Sequence, residues 1–262
     1  MYSFDFVRPA TLDEAVAALA GEEAQALGGG QTLIPTLKQR LASPATLVSL
    51  GGIAALKGVS SSGGTLTVGG GTTHGTVAAE AASVYPALAK LAGNIGDPAV
   101  RNRGTIGGSL ANNDPSACYP SAVLASNATV VTNTREIAAD DYFQGLFTTA
   151  LEPGEIITAV KFPVPQKAAY IKFEQPASRF ALVGVFVAKG ADGVRVAVTG
   201  ASEGGVFRWS EAEAALSSNF SAGALDGLSA SADGLINDLH GSAAYRAHLI
   251  GVLTKRAVAA AG

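Results

Sequence analysis

An α+β fold is the architecture this sequence predicts, and three observations predict it. Two glycine-rich turns, Gly28-Gly29-Gly30-Gln31-Thr32 and Gly104-Thr105-Ile106-Gly107-Gly108-Ser109, each join an apolar, strand-like run to small polar residues. Helical and strand-like patterns are mixed up to the proline pair Pro163 and Pro165, the best boundary signal in the chain. Beyond that pair, β-branched runs suggest an antiparallel meander followed by helices. The 262 residues suffice for one large domain or two modest ones. No period of about 20–50 residues repeats, which argues against a solenoid.

In chain order, Thr11-Leu12-Asp13-Glu14 reads as a capping box that opens a helix through about Ala20. Ala24 to Leu27 reads as a short buried strand running into the first glycine turn. Leu33, Leu37 and Leu41 fall on one face of a helix from Leu33 to Leu41. Thr46 to Leu50 is a strand. Val59–Ser61 and Leu66–Val68 form a hairpin about Ser62-Gly63-Gly64. Gly69-Gly70-Gly71-Thr72-Thr73-His74 leads into a helix to about Ala82, and a second helix spans Tyr85 to Leu91. A short helix after Pro120, a strand from Ala128 to Val131 and a β-branched strand from Ile156 to Phe162 complete this part. Tyr170–Phe173, Val183–Ala188 and Val194–Val198 give a meander, with Ala191-Asp192-Gly193 as one turn. Helices are expected near Glu211–Leu216, Gly223–Ala230 and Tyr245–Ala260.

Composition excludes several functions. A formal net charge of −3 gives no electrostatic case for nucleic acid. No apolar run approaches the ~20 residues of a membrane-spanning helix, and no secretory signal is visible, so a cytoplasmic protein is expected. Cys118 is the only cysteine, so the chain cannot hold its own iron–sulfur cluster or a cysteine zinc site. Its three scattered histidines form no metal constellation or triad. Electron chemistry would need an organic cofactor or a partner's metal.

Glycine lacks Cβ and tolerates φ > 0, so a glycine turn lets backbone N–H groups close on an anion. Two such turns, with hydroxyls at Thr32, Thr105 and Ser109, suggest a pyrophosphate held from both sides and hence a dinucleotide. A Rossmann site is disfavoured, because Leu33 stands where G-x-G-x-x-G requires its third glycine and no acidic residue lies suitably about 20 positions on. His74 admits two readings: a base or covalent flavin attachment point, or a residue that merely follows an N-cap at Thr72 or Thr73, which accounts for the local pattern. His240 and His248 read as surface residues. Arg101 and Arg103 read equally well as phosphate contacts or a solvated turn, and Asp140-Asp141 as a helix start.

The two turns, continued as Leu33-Ile34-Pro35 and Leu110-Ala111-Asn112, together resemble the flavin-binding medium subunit of molybdenum hydroxylases, the family of carbon monoxide dehydrogenase, xanthine dehydrogenase and aldehyde oxidoreductase. Arg8-Pro9, Asp97-Pro98-Ala99-Val100-Arg101-Asn102, Asp141-Tyr142-Phe143 and Glu152-Pro153-Gly154-Glu155-Ile156-Ile157 extend the resemblance over nearly the whole chain. It implies a vanillyl-alcohol-oxidase-type FAD-binding fold of two α+β subdomains, at 1–55 and 56–165. A small C-terminal α+β domain, 166–262, would carry a three-stranded antiparallel sheet and helices. FAD would be bound non-covalently. By the same resemblance Leu27, Gly28, Gly29, Gly30, Gln31, Thr32, Leu33 and Ile34, with Gly104, Thr105, Gly107, Gly108 and Ser109, wrap the pyrophosphate. Ile156 and Ile157 would lie against the isoalloxazine ring, with Lys172 near the flavin. Many relatives carry an aspartate at the position of Cys118, where it binds the ribityl hydroxyls. Asp114 or Asn112 is left to take that role, or the contact is weaker.

The implied function is an electron-transfer subunit of an oxidoreductase. Electrons from a substrate oxidised on a large molybdenum-cofactor subunit would pass through a small [2Fe-2S] subunit to FAD here and on to an external acceptor. A dimer of heterotrimers is the expected assembly. No general acid or base is assigned. Two other readings stay open: a stand-alone flavin-dependent oxidase or reductase, for which only His74 and Tyr142 are plausible site residues, and a flavin-free nucleotide-binding scaffold.

Overall fold

The computed structural model describes residues 1–262, in three sheet-based units. In the first, strands Asp5–Val7 and Ala24–Leu27 flank Thr46–Ser49 in a parallel sheet. Parallel neighbours need crossover connections, and helices Leu12–Leu19 and Leu33–Lys38 lie in the two crossovers. The first helix starts as the sequence predicts: Thr11 Oγ1 accepts the Glu14 N–H, and the Glu14 carboxylate accepts the Thr11 N–H. The second helix is shorter than its leucine spacing predicts. Arg40 adopts φ 60°, and the Leu41 N–H turns back to the Thr36 carbonyl while the Arg40 N–H reaches that of Leu37. That Schellman pattern closes the helix and leaves Leu41 outside it, 74% exposed.

The second unit is a five-stranded antiparallel sheet in the order Val59–Ser62, Thr65–Gly69, Ile157–Pro163, Thr129–Thr132, Glu136–Ala138. Gly63 and Gly64 both have positive φ (57° and 79°), the geometry of a two-residue hairpin turn that matches strand twist. Helices His74–Glu80, Pro86–Gly93, Ile106–Asn112 and Tyr119–Ala125 cover the sheet, and Val68, Leu88, Leu110, Tyr119, Val130, Val160 and Phe162 pack into one core.

Strands Lys167–Glu174, Ala181–Gly190 and Gly193–Thr199 form the expected meander, and a two-residue strand, Phe207–Arg208, adds a fourth to its edge. Ala181 to Ala188 is buried throughout without alternation, because both sheet faces are covered. Helix Ala243–Ala261 lies against one face, whereas Phe186 and Ala188 join the core around Tyr119 on the other. Residues 223–230 do not form the expected helix. Only a 3₁₀ turn, Ala222–Leu225, is present, and Gly227 at φ 83° leads the chain away.

Candidate functional site

A single large cavity of about 1000 Å³ lies where the three units meet, and both glycine turns line it. The first turn leaves the carboxyl end of strand Ala24–Leu27, where open α/β sheets characteristically bind ligands. Gly30 sits at φ 73°, a conformation few side chains accept. No backbone N–H from Gly28 to Thr32 donates to any group of the chain, so this turn presents a run of free donors to the cavity. Ile34, expected among the binding residues, does not line the cavity. It supports the turn from behind: its N–H bonds the Gly30 carbonyl at 3.0 Å, and a Cβ at Gly30 would come within 2.9 Å of its Cγ1.

The second turn is built differently. Gly104 N–H bonds Val100 O (2.7 Å), Ile106 N–H bonds Thr72 O (3.1 Å), Gly107 N–H bonds Gly70 O (2.8 Å) and Ser109 N–H bonds Thr105 O (3.0 Å). Gly108 N–H donates to Thr105 Oγ1 at 3.1 Å, which caps helix Ile106–Asn112. This turn's donors are therefore almost all used within the protein. Gly107 serves backbone packing, since a Cβ there would lie 2.6 Å from Gly70 O; in the first turn, one at Gly29 would likewise fall onto the Arg103 carbonyl. Gly29 and Gly107, both expected to admit a ligand, line the cavity, and both also let backbone segments touch each other. Gly70 is the partner that sequence reasoning missed, although Gly69-Gly70-Gly71 is a plain signal of close backbone approach.

Away from the turns, Lys172 enters the cavity wall from the C-terminal sheet, with its side chain 1% exposed. Its Nζ donates to Asn94 O (2.7 Å) and Arg179 O (2.6 Å) and lies 3.9 Å from both Cys118 Sγ and Glu174. Burial pushes the Cys118 thiol up from its ordinary pKa, opposed by Lys172. The buried Tyr170 hydroxyl nearby has no partner. Asn112 and Asp114 also line the cavity, but one Asp114 oxygen already accepts the Ser116 N–H at 2.8 Å. Thr199 Oγ1 donates to Pro115 O (2.9 Å) or Ala117 O (2.7 Å), and Gly200 N–H donates to Pro115 O, so the C-terminal unit clamps this wall in place.

Ile156 and Ile157 line the cavity and are buried. The Ile156 N–H is held by Asn133 Oδ1 at 2.7 Å. Beside it, the Glu155 carboxylate accepts from Arg135, Thr134, Thr132 and the Glu152 N–H. Arg135 foremost, with those donors, pulls Glu155 down to about 2.

The remaining candidates divide cleanly. Arg103 lines the cavity, whereas Arg101 donates to Ile95 O and Gly96 O and braces the preceding loop. Asp140 and Asp141 lie in a helical turn, Ala139–Tyr142. Tyr142 is buried away from the cavity, its hydroxyl on Leu110 O. His240 and His248 are exposed. His74, which an N-cap seemed to explain away, is indeed preceded by Thr73 as the cap, yet it is buried and lines the cavity. Burial, helped by Arg101, lowers it to about 4.

Residues 2–165 match the family described as the FAD binding domain in molybdopterin dehydrogenase. The carbon monoxide dehydrogenase medium chain of Afipia carboxidovorans is 34% identical, with 98% of this chain and 96% of that one covered. The nicotine 6-hydroxylase medium subunit of Paenarthrobacter nicotinovorans is 35% identical over the same shares. Among solved structures, reconstituted CO dehydrogenase from Oligotropha carboxidovorans superposes with a TM-score of 0.89 at 32% identity, covering 99% of this chain and 98% of that chain.

Proposed function

The chain belongs to the family of FAD-binding domains of molybdopterin dehydrogenases, and on that premise we propose that it is the electron-transfer subunit of a molybdenum hydroxylase. FAD is its cofactor, and the cavity suits that group. A run of unpaired N–H donors from Gly28 to Thr32 fits a diphosphate, and the elongated cleft extends to an apolar wall at Ile156 and Ile157 and a buried cation at Lys172. The free donors of the first turn are the observation that carries this reading, since nothing else in the chain uses them.

In the proposed arrangement the Gly28–Thr32 N–H groups, with Thr105 and Ser109, hold the diphosphate largely through neutral donors. Leu27 and Leu33 flank them. Ile156 and Ile157 lie against the ring, fixed by Asn133 and Glu155, and Lys172 places positive charge beside it. Asn112 and Asp114 face the ribityl chain. When bound, FAD supplies the electron-carrying chemistry; the chain binds it, orients it and sets its electrostatic surroundings. Its relatives are medium chains of heteromeric enzymes, so the proposed partners are a large molybdenum-cofactor subunit and a small [2Fe-2S] subunit, assembled as a dimer of heterotrimers. Electrons would arrive from the iron–sulfur subunit and leave to an external acceptor. A cytoplasmic location belongs to the same proposal; no helix is long and apolar enough to cross a membrane. We also propose the divisions 1–55, 56–165 and 166–262 as the units of the chain.

Affinity purification of the chain from its host, with an absorption spectrum and metal analysis, tests this reading. A flavin band, two co-purifying chains, iron and molybdenum are expected. A single yellow chain that turns over a substrate without metal would make it an independent flavoenzyme.

A further inference from the structure

In the second glycine turn only the Thr105 N–H is left without a partner in the chain, and one buried side chain beside it has both ring nitrogens unpartnered. His74 is 5% exposed and lines the cavity. Its Nδ1 is sealed inside the protein without a hydrogen-bond partner. Its Nε2 has no partner in the chain either and is not among the sealed atoms, and the residue lines the cavity. The imidazole lies directly over Gly104, the first residue of the second turn: a Cβ there would come 2.5 Å from Nε2 and 2.9 Å from Cδ2. The His74 N–H bonds Gly104 O at 2.9 Å, so ring and turn are fastened together. Tyr119 packs against the other side, with ring centroids 5.3 Å apart.

We propose that His74 is a ligand of the bound dinucleotide, its Nε2–H donating to a diphosphate oxygen on the wall formed by the second glycine turn. This rests on the FAD-binding reading and assigns a side-chain donor beside those of Thr105 and Ser109 on a wall whose other backbone N–H groups are used within the protein. Arg101 and Tyr119 are the titratable groups against the ring. Burial and Arg101 keep the imidazole neutral at physiological pH. A neutral ring carries one proton, and a buried donor left unpaired is rarer in proteins than an under-used acceptor. The proton therefore sits on Nε2, with Nδ1 as the sealed acceptor. His74 supplies what a backbone N–H supplies on the opposite wall.

The test uses the full chain stripped of flavin, then titrated with FAD. The chain has only three histidines, so ¹⁵N-histidine spectra of the wild-type chain and of His74→Phe assign the His74 resonances by difference. On FAD addition the His74 Nε2 resonance is expected to shift while remaining protonated. His74→Phe, which keeps the ring packing, should weaken FAD binding about tenfold or more, the loss of a hydrogen bond to a charged group. His74→Gln, which restores an N–H donor, should recover most of that loss. Stoichiometric FAD binding with an unchanged Nε2 resonance overturns the proposal and leaves the FAD reading standing, whatever the variants do. Failure of the wild-type chain to take up FAD overturns both.

Discussion

The two glycine turns look alike in sequence and differ in what their backbone does. From Gly28 to Thr32 every N–H is without a partner in the chain and the residues line the cavity, whereas from Gly104 to Ser109 nearly every N–H is bonded within the protein. The first turn is the proposed binding surface. The second is a joint: Gly107 lets helix Ile106–Asn112 press onto Gly70, and Gly104 seats the His74 ring. Glycine count alone does not distinguish them. The first turn is half-buried to exposed, so its unpaired N–H groups are available to water or to a ligand.

Breaking the joint should cost most. Gly107→Val would drive a side chain into Gly70 and should destabilise the flavin-free chain by about 3 kcal/mol, read as a drop in its melting temperature. An unchanged apo melting temperature with lost FAD binding would return Gly107 to the ligand-facing role first expected of it. Glu155→Gln removes the charge that fastens the Ile156 wall and should cost about 1–3 kcal/mol. Because Glu155 is depressed from 4.5 to about 2, its contribution is complete above pH 4.5. It disappears as the pH falls towards 2. The wild-type advantage over Glu155→Gln should vanish over that window, and a constant difference down to pH 2 would contradict the assignment.

Cys118→Asp places a carboxylate near Lys172 Nζ, 3.9 Å from the present sulfur, and should slow FAD loss about tenfold (~1.4 kcal/mol). Unchanged or faster loss would mean this position does not reach the ribityl chain. The smallest stability change is expected in the first turn. Gly30→Ala forces a side chain into φ 73° against Ile34 and should cost the apo chain only about 1 kcal/mol, while weakening FAD binding more than it weakens the fold. Equal losses in both would erase the distinction between the turns.

Much of this was legible in the sequence. The capping box at Thr11, the hairpin at Gly63-Gly64 and the two turns are local signals, and local chemistry decides them. Every cofactor-binding residue that the family resemblance implies, except Ile34, lines the cavity. Reasoning failed where partners distant in sequence decide. Leu41 has helical spacing, but the Arg40 backbone turns first. His74 follows a genuine N-cap, and only the fold brings Gly104 and Tyr119 onto its ring. The role of Gly107 could not be read without Gly70, and strand Ala181–Gly190 hides its two-sided burial in an unbroken apolar run.

Amide hydrogen exchange of the flavin-free chain, repeated with one equivalent of FAD, tests the central contrast directly. The account predicts fast exchange from Gly28 to Thr32 that becomes slow when FAD binds, and slow exchange at Gly104, Ile106, Gly107 and Ser109 in both states. Stoichiometric FAD binding that leaves the first turn exchanging freely, or protects only the second, would contradict it.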